Sequence, residues 1–333
     1  MDSLSQLALG AAVGGAVAGR RFGRKALLWG ALCGTLPDLD VLVPLGDPVS
    51  DFTYHRSASH SLLMQALATP LLVWLITRIH PATVSSWRRW AMLVYSALAT
   101  HALLDAFTVY GTQLLWPLEP TPFGLGSIFI IDPLYTLPLL CALVVAALAR
   151  RGERIRGASL VGLVLSSLYL AWTLLAQAHV DVLARKSLAE ASIEVERVLV
   201  TPAPFNSVLW RVLAIGPTEY HEGFHSLLDD DGALRFARHP RHPELLTPIA
   251  DAWPVARLAW FTRGFYAAAL RDEDVVLTDL RMGLEPDYIF AFRVGVLGNP
   301  HVHPAEAVRM PARRNFGRVA RVWRRIFDAQ VHP

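Results

Sequence analysis

Charge is scarce in this chain. Asp, Glu, Lys and Arg make up 18% of its 333 residues, where a soluble domain carries about 25%. Hydrophobic residues reach 53% and the mean hydropathy is +0.36. That deficit of charge argues for membrane spans. The net charge of +3 is too small to suggest a nucleic-acid partner, and none is expected. Only two cysteines occur, Cys33 and Cys141, and they form no CxxC pair. Thiol chemistry therefore has no motif here. GxSxG and any nucleophile–base motif are missing too. The Gly-rich stretch 10–19 lacks a phosphate-loop lysine, so close helix packing explains it better. No internal repeat or low-complexity tract is present.

Long apolar runs, by contrast, are plentiful. A bilayer core needs about 20 apolar residues of helix. Stretches 62–79, 128–149 and 158–180 meet this, and 90–109 does so apart from His101 and Asp105. Two shorter Gly/Ala-rich pieces, 4–18 and 26–37, suit a closely packed helical pair. The expected fold is mainly α: a polytopic helical membrane bundle of about six apolar segments over 1–185. A smaller α+β domain with an antiparallel sheet follows over 186–333. In that tail, 193–200 alternates like a strand, and 208–215 and 219–227 flank a Gly216-Pro217 turn as in a hairpin. A short helix is expected over 255–265, with further strands over 265–270, 275–281 and 288–296.

Basic residues are unevenly placed. The loops after the first, third and fifth apolar segments hold eleven Lys and Arg, whereas loops 38–61 and 110–127 hold only Arg56. The positive-inside rule then puts those two loops and the tail outside a bacterial inner membrane.

Ionisable residues sit where apolar surroundings make them expensive. They are Asp2, Asp38, Asp40, His55, His60, His101, Asp105 and Asp132. The expected topology gathers them at the outer face. His101 and Asp105 are spaced i, i+4 and share one side of a helix. Imidazole and carboxylate are the usual ligands of zinc and other divalent transition ions. Such centres generate hydroxide at neutral pH and clamp a phosphoryl oxygen. Arg56 suits a phosphate, and Ser59 and Ser61 suit ligand orientation. Asp132-Pro133 reads equally well as a helix cap before a proline at the first helical position. The tail pairs His221/His225, His239/His242 and His301/His303 are weaker candidates.

The ordered series Asp2-Ser-Leu-Ser-Gln6, Pro37-Asp-Leu-Asp40, His55-Arg-Ser-Ala-Ser-His-Ser61, His101-Ala-Leu-Leu-Asp105 and Ile131-Asp-Pro-Leu134 resembles the YdjM-like family. Its members are inner-membrane-associated and described as metal-dependent hydrolases, also labelled LexA-binding. The stretch 201–210 resembles longer bacterial members. Ser57 and Ser59 stand where the family's HRGxTHS loop has Gly and Thr. The family is in turn similar to zinc-dependent phospholipase C and single-strand nucleases. The resemblance implies metal roles for Asp40 or Asp38, for His55 or His60, and for His101 with Asp105.

The sequence reading is thus a membrane-bound, metal-dependent hydrolase of a phosphoester in a lipid or lipid-linked substrate. The ligands favoured are Asp40, His60, His101 and Asp105, with His55 and Asp38 next. Asp38 or Asp132 is the alternative general base, and Arg56 the phosphate partner. Zinc is the expected ion, with manganese the alternative. Two other readings compete: a non-enzymatic membrane protein with a structural metal site and a partner-binding tail, and an ion pathway. The inner halves of the segments carry almost no ionisable groups, which disfavours the pathway.

Overall fold

The computed structural model describes residues 1–228, 232–299, 301–312 and 317–331. The helices, in chain order, are α1 (Ser3–Phe22), α2 (Arg24–Thr35), α3 (Pro48–Tyr54), α4 (Leu62–Ile79), α5 (Trp87–Ala106), α6 (Pro133–Leu148), α7 (Gly152–Glu190), α8 (Trp253–Phe261) and α9 (Gly317–Arg325). The chain divides into two compact units. The first holds Met1–Val43 and Arg56–Thr173, the second Pro44–His55 and Leu174–Pro333.

In the first unit, α1 packs on α2, α5 and α6. The α1–α2 contact is backbone against backbone. A Cβ on Gly10 would overlap the Gly30 carbonyl and lie 2.8 Å from Gly34 Cα, so only glycine permits this approach. Asp2 caps α1, accepting from Leu4 and Ser5 amides at 3.1 and 3.0 Å. The core runs through Leu9, Val13, Leu93, Ala97 and Leu139, and Phe22 stacks on Trp90 with ring centroids 3.9 Å apart.

The expected polytopic bundle of about six apolar segments is not supported. Among the described residues, two helices are long and apolar enough to cross a membrane, α4 and α7. In each, only 22% of the candidate span is buried, and α4 leaves Leu67, Leu71 and Trp74 exposed. The other apolar stretches fail for physical reasons. Helices α2 and α6 are only 12 and 16 residues long. In α1 the apolar character comes from Gly and Ala buried against a neighbouring helix. In α5 it comes from core residues such as Trp90, Leu93 and Val94, while Arg88, Arg89, His101 and Asp105 dilute it.

The second unit contains the antiparallel sheets expected for the tail. Its strands are β1 (Arg197–Pro202), β2 (Leu209–Ile215), β3 (Glu219–Ser226), β4 (Phe236–Pro240), β5 (Tyr266–Arg271), β6 (Asp274–Asp279), β7 (Gly283–Leu284), β8 (Asp287–Tyr288), β9 (Ala291–Leu297) and β10 (Val302–Arg309). One sheet has the order β1-β2-β3-β4, another β10-β9-β6-β5, and β7 pairs with β8. The β2–β3 hairpin turns at Gly216-Pro217, with Ile215 opposite Tyr220. Strands β4 and β10 were not legible in the sequence. β10 carries Pro304 and a register shift, and β4 is five residues long and mixes Arg238, His239 and Pro240 with only two apolar side chains.

Candidate metal centre

Four residues from three stretches of chain converge in the first unit. Asp38 comes from the 3-10 turn Pro37–Leu42 that follows α2, and His60 closes the turn Ala58–His60 before α4. His101 and Asp105 lie one helical turn apart on the buried face of α5. One donor atom from each lies within 4.8 Å of every other. His60, His101 and Asp105 are fully buried, and Asp38 alone keeps solvent access, with 21% of its side chain exposed.

The outer partners fix which ring nitrogens face inward. His101 Nδ1 is 2.6 Å from the Gly34 carbonyl oxygen, which only accepts, so Nδ1 carries hydrogen. Ser59 Oγ donates to Asp40 at 2.6 Å and lies 2.8 Å from His60 Nδ1. Its proton is committed to Asp40, so it accepts from His60 Nδ1. Both Nε2 atoms therefore face the centre, 3.0 Å apart. Two lone pairs at that distance repel unless a metal ion or a proton lies between them.

Carboxylates complete the set. Asp38 Oδ1 is 3.5 Å from His60 Nε2 and 3.4 Å from His101 Nε2. Asp105 Oδ2 is 3.1 and 3.7 Å from the same atoms. An ion bound tetrahedrally at ~2.0–2.1 Å holds its ligand atoms about 3.3 Å apart. The observed spacings straddle that value. Asp105 Oδ2 is also buried without a hydrogen bond of good geometry, although Arg56 Nε lies 3.0 Å away. A sealed carboxylate oxygen in that state is a ligand atom in waiting. The donor set fits a divalent metal ion.

Electrostatics agree. Burial would raise the Asp38 carboxyl, but the imidazoles of His101 and His60 beside it hold it well below the usual carboxylate range. Burial would lower the His60 imidazole, but Asp105 and Asp38 hold it above the ordinary histidine value.

A second shell holds Asp105. Gln6 Nε2 donates to its Oδ1 at 3.0 Å, and the Met1 amine pairs with the same oxygen. Arg56 is itself buried, in the left-handed region (φ 64°), with Nη1 donating to Thr108 Oγ1 at 3.0 Å and its guanidinium 5.0 Å from the Tyr110 ring centre. Gln6 and the Gly34 carbonyl were not singled out from sequence. A lone glutamine in a Gly/Ala helix was the available signal for the first; a backbone carbonyl leaves none.

Three candidates lie elsewhere. Asp40 stands behind His60, accepting from the Arg56 amide at 3.1 Å and from Ser59, with its Oδ2 3.7 Å from His60 Nδ1. His55 ends α3 in the second unit and is not among the four converging residues. Asp132 caps α6, accepting from the Leu134 and Tyr135 amides at 3.0 and 3.4 Å and from Tyr169 Oη at 2.8 Å. Ser61, for its part, caps α4.

The Ser59 relay makes a sharp prediction. Ser59→Ala leaves all four donors in place but frees the His60 ring. Metal affinity should fall about 10–100-fold with stoichiometry unchanged. Competitive chelator titration measures this; an unchanged affinity would remove Ser59 from the outer shell.

No curated protein and no solved structure matches the chain. The sequence profile of the YdjM inner membrane protein family does, over residues 1–180. That match covers more than half of the chain, including all four converging residues, and the chain belongs to the YdjM inner membrane protein family.

Proposed function

We propose that the protein is a metal-dependent hydrolase of the inner membrane that cleaves a phosphoester in a lipid or lipid-linked substrate. The observation that supports this most is the inward-facing pair of His60 and His101 Nε2 atoms beside Asp105 and Asp38. His60, His101 and Asp105 form a two-histidine, one-carboxylate set of the kind used by hydrolytic zinc centres. Zinc is the ion this set suits best, with manganese second. A divalent ion there supplies hydroxide near neutral pH and polarises a phosphoryl oxygen.

The chain's own residues then divide the work. His60 and His101 are locked by Ser59 and Gly34, so neither ring turns when substrate arrives. Arg56 fixes Asp105 and neutralises part of its charge. Its burial suits that positioning role better than direct phosphate binding. Asp38 is the one solvent-reached member, so it takes the open side as fourth ligand or as the base that receives the proton of water. Asp132 is less suited to that base role because its oxygens already cap α6 and bind Tyr169.

A structural metal site is the second reading. The observation favouring it is that four protein donors already converge, enough to close a tetrahedral site, and structural sites are closed. One experiment separates the two. Purified protein loaded with zinc is assayed on a panel of phosphodiester and phospholipid substrates, alongside Asp38→Asn. The hydrolase reading expects turnover that Asp38→Asn lowers about 10²–10⁴-fold while the metal stays bound. Metal-loaded protein that cleaves nothing, and unfolds on chelation, supports the structural reading instead.

A further inference from the structure

The C-terminal helix carries a feature that the metal centre does not use. Between Ala307 and Phe327 the sequence has seven arginines and no acidic residue. Within this run, α9 is held on the first sheet of its unit by one face. Val322 and Ile326 pack with Ala203, Leu209 and Phe224. Ser226 Oγ donates to the Ile326 carbonyl at 2.6 Å, and Arg325 Nη2 donates to the Phe224 carbonyl at 3.3 Å. Arg318 donates to the Leu284 carbonyl at 2.8 Å and lies 3.4 Å from Asp287. The helix is therefore anchored, and its rotation is fixed.

The opposite face is formed by Ala320, Trp323 and Arg324 on the helix and Phe327 in the turn just past its end, spaced i, i+3, i+4, i+7. All four are exposed, Trp323 at 45% and Phe327 at 68%. Arg321 borders this face. Two large aromatic side chains left in water on a helix already docked elsewhere lack a stability rationale. Aromatics flanked by arginine on one amphipathic face match the interface of an anionic bilayer. The ring inserts at headgroup depth while the guanidinium meets lipid phosphate. A nucleic acid would use the arginines but leaves the aromatic pair without a partner in a duplex. Membership of an inner membrane protein family supplies the bilayer.

We infer that α9 is an interfacial anchor, by which the second unit docks on an anionic lipid surface through Trp323, Phe327, Arg321 and Arg324. This goes beyond the hydrolase reading and does not depend on it.

The test uses full-length protein with Cys141→Ser, labelled with an environment-sensitive dye at Ala320→Cys; Cys33 is buried and stays silent. The protein is placed in lipid discs of phosphatidylcholine alone, or with about a third phosphatidylglycerol. Anionic discs should blue-shift the dye and shield it from an aqueous quencher. High salt should reverse the effect. Each of Arg321→Gln and Arg324→Gln should lower the docked-to-undocked ratio about fivefold, from about 1 kcal/mol per basic residue near the surface. Trp323→Ser/Phe327→Ser should abolish the shift, and these exposed positions leave the fold intact. Equal quenching in both discs would overturn the proposal. So would shielding by a duplex oligonucleotide that anionic lipid does not match.

Discussion

Asp105→Ala is expected to destabilise the first unit by about 3–5 kcal/mol and to eliminate metal binding. The magnitude follows from what the side chain neutralises. Asp105 is fully buried and pairs with Arg56, itself buried, at 3.0 Å. Its other oxygen holds Gln6 and the Met1 amine. Removing it leaves the Arg56 cation in a low-dielectric site, with Thr108 and the Tyr110 face as its remaining support. Breaking a buried pair from one side costs far more than the pair is worth, because the surviving charge has lost its counterion. Asp105→Asn should be milder in stability, since the amide keeps the shape, yet equally unable to hold metal. Chemical unfolding with and without zinc measures both effects. A variant with near-normal stability would show that Arg56 finds another counterion.

Gly30→Ala is the second large change, and its sign is the reverse of the ordinary rule. Alanine in a helix interior is favoured over glycine by about 1 kcal/mol. At Gly30, however, the new Cβ would overlap the Gly10 carbonyl and sit 2.9 Å from Gly14 Cα. Backbone atoms cannot rotate aside, so α1 and α2 must separate. Overpacking of that kind costs about 3 kcal/mol or more and outweighs the propensity gain. The separation also reaches the centre, because Gly34 on α2 supplies the carbonyl for His101 and Gln6 on α1 orients Asp105. Gly157→Ala in α7 is the control. Nothing lies within 4 Å of its Cβ, so the change should be neutral or stabilising by about 1 kcal/mol. Unfolding midpoints for both variants check the contrast; equal midpoints would deny the close helix contact.

The sequence marked the residues of the candidate centre more clearly than their frame. His101 and Asp105 were legible because i, i+4 spacing has one geometric meaning on a helix. The choice between Asp38 and Asp40 was not, because two carboxylates one residue apart differ only in how a short 3-10 turn aims them. The structure turns Asp38 toward the imidazoles and Asp40 toward Ser59 and the Arg56 amide. Asp132 shows the opposite trap. An Asp-Pro step before an apolar run is a cap by local rules, and a cap is what the structure contains.

The count of membrane segments failed for a related reason. An apolar run records that a helix avoids water, not what it meets instead. Helices α1 and α5 meet other helices, while α4 and α7 leave most of their candidate spans unburied. Hydropathy alone cannot separate those cases. The tail sheet was easier, because alternation and the Gly216-Pro217 turn fix a hairpin locally.

The central claim is that His60, His101, Asp38 and Asp105 hold a divalent ion. Elemental analysis of the freshly purified protein, beside His60→Ala and His101→Ala, tests it most directly. The account predicts about one equivalent of zinc or manganese in the parent chain, and affinity reduced more than about 100-fold in both variants, beyond the usual outer-shell loss. A folded parent protein that carries no metal, and takes up none when zinc or manganese is added back, would contradict it.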